Sequence, residues 1–314
     1  MTAANTPAEH AKTGPWRVAI TGASGLVGTA LTAFLEARGH TVLPLVRDRG
    51  RAKLGGVYWD PERAELEPAA LDGVDAVIHL AGESVAGGRW TEERKARILG
   101  SRTKGTALVA RTLAGLSHKP RVLVSASAVG YYGDTGARRI DESAPRGTGF
   151  LAEVCEAWEG AAQPARDAGI RVVHPRIGVV LSSQGGALER LLPVFRMGVG
   201  GRIGDGRQGF PWIALDDLLG ALDFALHDDA LRGPVNFVAP SHTSNADFTR
   251  VLASVLSRPA ILPVPGFMLR AAFGAMADEA LIHGQFACPR VLEEHGFRFA
   301  YPELGAALRH VLAR

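Results

Sequence analysis

The sequence predicts a doubly wound α/β fold on a parallel sheet, with a smaller α/β lobe toward the C-terminal end. Three features predict it: short wholly apolar runs, helical periodicity between them, and a glycine-rich turn joining the first such pair. Arg17 to Thr21 (RVAIT) is the first strand. Leu26, Ala30, Leu31, Phe34 and Leu35 then fall at helical spacing in a helix over 26–38, with Gly39 as its stop. Thr41 to Val46 (TVLPLV) returns as a strand and closes a βαβ unit. Ala76 to Leu80, Arg121 to Ser125 and Ile170 to Pro175 are further strands. Helices over 91–116 and 151–166 lie between them, the second kinked at Pro164. Strands that are apolar throughout are buried on both faces, so helices cover both sides of the sheet.

The pattern changes after Gly178. Glycines cluster in MGVGGRIGDGRQGF, and Pro263, Pro265, Pro289 and Pro302 punctuate the C-terminal stretch. The expected organisation is a tail over 1–15, a nucleotide-binding domain over 16–240, and a substrate-side lobe over 241–314. That lobe is placed at the carboxyl edge of the sheet.

Composition narrows the function. With 46% hydrophobic residues in 314, a large core can form. The formal charge of +3 comes from scattered arginines, with no basic run interleaved with aromatics, so no nucleic-acid partner is expected. The two cysteines, Cys155 and Cys288, form no CxxC pair, so neither zinc nor a disulfide framework has support. No run of ~18–20 apolar residues occurs, and residues 1–15 lack a signal-peptide core. The expectation is a cytoplasmic protein with no metal and no membrane partner, a monomer or homodimer acting on a small molecule.

The sharpest local signal is Thr21-Gly22-Ala23-Ser24-Gly25-Leu26-Val27-Gly28, between a strand and a helix. In a Rossmann sheet Gly22 permits the tight turn, Gly25 lets main-chain amides approach a pyrophosphate, and Gly28 allows close helix packing. Ser24, Leu26 and Val27 complete the phosphate-facing turn at the positive end of the helix. The end of the second strand chooses the dinucleotide. An acidic residue there would hold a ribose 2′-hydroxyl, whereas this chain offers Arg47, suited to a 2′-phosphate, followed by Asp48, Arg49 and Arg51. NADP(H) is expected over NAD(H), with Asp48 as the competing reading.

These residues resemble the extended short-chain dehydrogenase/reductase superfamily. TGASGLVG is similar to its TGxxGxxG, and His79-Leu80-Ala81-Gly82 to its cofactor-lining HxAG. Ser125-Ala126-Ser127 with Tyr132-Gly133 is similar to SSS…YG of the sugar epimerases. Gly204-Asp205-Gly206-Arg207-Gln208 through Asp216-Asp217 resembles their GDGxQxRDFxxxxD. VGYYGD, GFLAEVCEAWE and a tail reading PVPGFMLRAAFGAM…RVLEEHGFRFAYPELGAAL resemble one atypical subgroup, the "epimerase family" oxidoreductases, whose distinct C-terminal segment would span 263–311. The resemblance implies cofactor contacts from Leu80, Ala81, Gly82, Ser125, Pro175 and Ile177, and a substrate-positioning role for Ser127. Arg102 would reach a cofactor phosphate or brace the nearby backbone.

Members of the superfamily transfer hydride with a Tyr-x-x-x-Lys pair on one helical face, the Lys lowering the Tyr pKa. Here the residues four places after the four tyrosines are Glu62, Thr135, Gly136 and Gly305, and the last lysine is Lys119. On the corresponding helix the Tyr is replaced by Phe150 or Leu151, and the Lys by Val154 or Cys155. Two readings stay open. A different acid serves, from among Tyr131, Tyr132, Glu153 and Cys155 beside Ser127; or the chain binds the dinucleotide as a regulator with little turnover. Trp212 closes the pocket or packs the core, and Arg202 and Arg207 are candidates for a substrate phosphate.

Overall fold

The computed structural model describes residues 14–313. In chain order the strands are β1 (Arg17–Thr21), β2 (Thr41–Val46), β3 (Val57–Asp60), β4 (Glu65–Leu66), β5 (Ala76–His79), β6 (Val122–Ser125), β7 (Ser127–Ala128), β8 (Arg139–Ile140), β9 (Arg171–Ile177), β10 (Val179–Leu181), β11 (Trp212–Ala214), β12 (Gly233–Phe237) and β13 (Phe286–Ala287). The helices used below are α1 (Leu26–Glu36), α2 (Arg49–Ala52), α3 (Glu92–Ala114), α4 (Phe150–Gly160), α5 (Gln163–Asp167), α6 (Gly186–Arg196), α7 (Leu215–His227), α8 (Asn245–Leu256) and α9 (Gly266–Phe273).

Eight strands run in the order β12-β9-β6-β5-β1-β2-β3-β4, and β7 adds to β9. All pairs are parallel except the β3–β4 ribbon. From β1 the chain first winds outward through β2 and β3, then returns to β5 on the other side and winds outward through β6, β9 and β12. That reversal opens a crevice between the carboxyl ends of β1 and β5, where ligands of such sheets sit.

Helices cover both faces because the strands leave no polar face. On one side Leu31 and Leu35 of α1 and Leu218 and Leu222 of α7 pack on Val18, Ile20 and Ile78. On the other, Val109 and Leu113 of α3 and Ala165 of α5 pack on Ala19, Val77 and Leu123. A third core joins α6, β10, β11, α8 and the C-terminal helix through Leu192, Trp212, Phe248 and Leu308.

Most expected elements stand within one or two residues of their ends. Gly39 does stop α1, at φ +84. The expected kinked helix over 151–166 is instead two helices, α4 and α5. Pro164 sits in the first turn of α5, where its missing N–H costs nothing, so it starts a helix and bends none. The expected tail lies outside the described residues, save 14 and 15.

Candidate functional site

Parallel pairing brings the carboxyl ends of β1, β2, β5, β6 and β9 to one edge, and almost every motif residue sits there. Thr21 and His79 are register partners. The Thr21 hydroxyl lies 2.7 Å from His79 Nδ1 and accepts from the Leu80 and Ala81 amides at 3.2 Å each. With its lone pairs so occupied, the hydroxyl gives its proton to Nδ1, and the ring carries its own on Nε2. Burial pushes His79 down to about 4, so it is neutral. This bolt ties the glycine turn to the HLAG segment. A Cβ on Gly22, which has φ +72, would stand 3.0 Å from the Ala81 nitrogen.

The glycines of the turn differ in what demands them. A Cβ at Gly28 would lie 2.1 Å from the Gly22 carbonyl oxygen, so α1 can approach the strand only without one. A Cβ at Gly25 would meet only the Gly22 oxygen at 3.4 Å, and its φ of −82 suits any residue. Nothing in the protein itself requires glycine at 25. Gly25 is also the α1 N-cap and gives no side-chain cap, which leaves the first amides of the helix for an external acceptor. Leu26, on the same turn, packs near Gly185 at the start of α6.

The residues after β2 divide sharply. The Asp48 carboxylate accepts from the Arg51 amide at 2.7 Å and caps α2. Arg49 pairs with Glu65 at 2.7 Å and stacks over Tyr58. Arg47 and the Arg51 guanidinium are exposed and have no side-chain partner among the described residues. The acidic residue is spent locally and two cations are left free, an arrangement fit for a phosphate.

Arg102 braces the nearby backbone through one of its guanidinium nitrogens. Its Nη1 donates to the Glu83 and Ile98 carbonyls at 2.9 and 3.1 Å, and its guanidinium lies over Trp158. Ser125 is fully buried, its carbonyl 3.2 Å from His174 Nδ1. Pro175 and Ile177 close β9 at the same edge. Trp212 belongs to the core, its Nε1 donating to Thr243 at 3.0 Å. Arg207 is exposed in a loose pair with Asp205.

Beneath this edge lies a buried polar network that sequence reasoning missed. The Ser127 hydroxyl donates to Glu159 at 2.7 Å, and Arg176 clamps both oxygens of Glu159 at 2.8 and 2.9 Å. Arg176 also donates to the Tyr132 hydroxyl at 3.0 Å, which donates to Asn236 at 2.7 Å. The Tyr132 hydroxyl is therefore engaged on both sides, its proton directed at Asn236, and burial raises it to about 12, which keeps it protonated. Tyr131 lies with Arg176 over its ring at 3.4 Å. Cys155 faces Ser127, and burial pushes its thiol up to about 11. Leu151 lies against Gly130 on the same side of α4, while Val154 packs with Trp90 and Ile98. The signal was available: Leu151, Cys155 and Glu159 recur every four residues and so share one helical face.

The N-terminus of α4 is held from far along the chain. Glu279 accepts from the Phe150 and Leu151 amides at 3.0 and 2.8 Å. Beside it opens a cavity of about 330 Å³ lined by Asp134, Thr148, Gly149, Ala275, Asp278, Glu279 and His283. Elsewhere His40, Asp223 and His227 come within metal-binding range of one another. His40 Nδ1, however, accepts the Trp16 amide at 3.0 Å, which leaves the ring proton on the nitrogen facing Asp223, where a metal would have to bind.

Uncapped helix, open glycine and free guanidinium groups at the crevice of a doubly wound sheet define a dinucleotide-binding Rossmann protein. The comparisons agree. Residues 18–238 match the model of the NAD dependent epimerase/dehydratase family, and the chain belongs to it. Residues 264–311 match a domain of unknown function, DUF1731. An epimerase family protein of Mycobacterium bovis is 46% identical over 297 residues, covering 95% of this chain and 98% of that one. The human epimerase family protein SDR39U1 is 38% identical over 300 residues, covering 95% and 100%. The crystal structure of its isoform 2 with NADPH matches with a TM-score of 0.88 over 95% of this chain and 99% of that one. A nucleoside-diphosphate sugar epimerase from Corynebacterium glutamicum matches at 39% identity and TM-score 0.80, over 96% of this chain and 59% of that one.

Proposed function

We propose that the chain binds NADP(H) and is an oxidoreductase or epimerase-like protein of the extended short-chain dehydrogenase type, with a rebuilt active site. The observation that carries this is the division after β2: Asp48 is consumed as a helix cap while Arg47 and Arg51 stay free beside the uncapped α1. Gly22, Ser24, Gly25, Leu26, Val27 and Gly28 would hold the pyrophosphate, Arg47 the 2′-phosphate, and Leu80, Ala81, Gly82, Ser125, Pro175 and Ile177 the nicotinamide half. The human relative crystallised with NADPH supports the choice. When bound, the dinucleotide supplies or accepts a hydride.

The substrate side belongs to residues 241–314 facing the sheet edge, with the cavity beside α4 as the place for a small molecule. Leu151 and Cys155 lie toward Gly130 and Ser127, which supports that pair over Phe150 and Val154 as the replacements for the superfamily's Tyr and Lys. Ser127 gives its proton to Glu159 and so offers lone pairs to a ligand hydroxyl; Tyr131 is the phenol left to donate. We place the protein in the cytoplasm, as a monomer or homodimer.

A regulatory dinucleotide binder with little turnover is the second reading. Cys155 near 11 and Tyr132 near 12 favour it, since neither offers a base at neutral pH. Calorimetric titration with NADPH and NADH tests the cofactor; tighter NADH binding refutes the role of Arg47. Turnover with any carbonyl compound or nucleotide sugar removes the second reading.

A further inference from the structure

Seven of the eight large apolar side chains most exposed among the described residues gather in one region. They are Val194 (39% exposed), Met197 (69%), Val199 (52%), Ile261 (81%), Leu262 (64%), Phe267 (69%) and Met268 (55%). The two segments that carry them are bound together. The Val264 amide donates to the Arg202 carbonyl at 2.8 Å, the Gly204 amide to Val264 at 2.9 Å, and Arg258 Nε to the Arg196 carbonyl at 2.9 Å. Helix α9 begins just beyond Val264, and none of its eight residues is buried. Leu269 and Phe273 are half-buried, Phe273 against the core around Trp90, so the helix turns those two inward and presents Phe267 and Met268 outward.

The charge around this face is mainly of one sign. Residues 190–204 and 248–277 contain no Asp or Glu, yet they hold Arg190, Arg196, Arg202, Arg250, Arg258 and Arg270. Acids enter only at the borders, where Arg250 pairs with Asp247 and Arg270 with Asp278. The Arg196 and Arg202 guanidinium groups have no partner among the described residues.

We propose that this face docks on an anionic phospholipid surface, with Phe267, Met268, Ile261 and Leu262 entering the headgroup boundary and the arginines meeting lipid phosphates. Apolar tips within a cationic rim are what interfacial binding needs. A second copy of the chain would set one arginine rim against another, which like-charge repulsion disfavours. No described helix is long and apolar enough to cross a membrane, and a face resting on headgroups needs none.

The test is flotation of the full chain with phosphatidylcholine vesicles, with and without phosphatidylglycerol, at rising salt. Binding is expected only with phosphatidylglycerol and should fade as salt screens it. Arg196→Ala should weaken it about fivefold. The pair Phe267→Glu with Met268→Glu should weaken it on the order of tenfold or more, while NADPH titration of the same variants reports that the fold is intact. No flotation with phosphatidylglycerol overturns the proposal, as does equal flotation of the paired variant. A wild-type dimer that the paired variant dissociates would assign the face to self-association instead.

Discussion

The two glycines of the phosphate turn have separable roles, and replacing each with alanine tells them apart. At Gly25 the new methyl group makes one ordinary contact, 3.4 Å from the Gly22 oxygen, and the backbone is unstrained. Losing glycine at an N-cap costs a little and reducing unfolded-chain freedom returns a similar amount, so stability should change by less than ~1 kcal/mol. In a chain this long that is a melting shift of about 2–4 °C at most. The methyl group does occupy the space above the amides, so NADPH affinity should fall by about tenfold or more, as an unmet charge-assisted contact of 1.5–3 kcal/mol implies. At Gly28 the methyl group would lie 2.1 Å from a backbone oxygen and 2.7 Å from the Ala23 Cα, so strand and helix must part. Overpacking there should cost roughly 1–3 kcal/mol and lose nucleotide affinity together. Thermal melts with calorimetric NADPH titration read both quantities. Gly25→Ala binding NADPH as the wild type does would refute the reasoning.

Other outcomes rest on the same geometry. Arg47→Ala and Arg51→Ala should each weaken NADPH by about tenfold and leave NADH unchanged, whereas Asp48→Ala should cost about 1 kcal/mol of stability through the α2 cap without altering the preference. His79 and His174 are both held near 4 by burial, against 6.5 when unfolded, so the unfolded chain takes up protons first. Their stability contribution is whole above pH 6.5 and declines as pH falls toward 4. By pH 5 the pair should have lost roughly 4 kcal/mol in urea titrations, and a flat profile from pH 7.5 to 5 would contradict this. Tyr132→Phe leaves Arg176 Nη1 and Asn236 short of a partner and should cost about 1–3 kcal/mol in chemical denaturation. An intact melting curve with altered chemistry would favour Tyr132 among the candidate acids.

The nucleotide half was legible because its signals are local. A tight turn, an open approach and a close helix each need glycine at a fixed spacing, so Gly22, Gly25 and Gly28 announce their roles within eight residues. The end of β2 was half legible: five residues held two competing readings, and only the fold showed that Asp48 turns inward onto α2. The network under the cleft was not legible. Ser127, Glu159, Arg176 and Tyr132 come from four separate elements, and nothing in their spacing along the chain shows that one guanidinium joins them. Tyr132 illustrates the limit, since beside Tyr131 it reads as an equal candidate until its hydroxyl is found engaged on both sides.

Glu279 closes α4 from more than a hundred residues downstream, and β13 lies against β8 at a similar remove. A ribosome therefore delivers the whole nucleotide crevice before the groups that fasten the facing helix have left the exit tunnel. Nascent chains arrested near residue 275, with α7 and β12 clear of the tunnel and Glu279 not yet made, should recognise the dinucleotide yet leave α4 unfastened. Exchanging residues 241–314 between relatives would then exchange the groups that fasten α4 along with them.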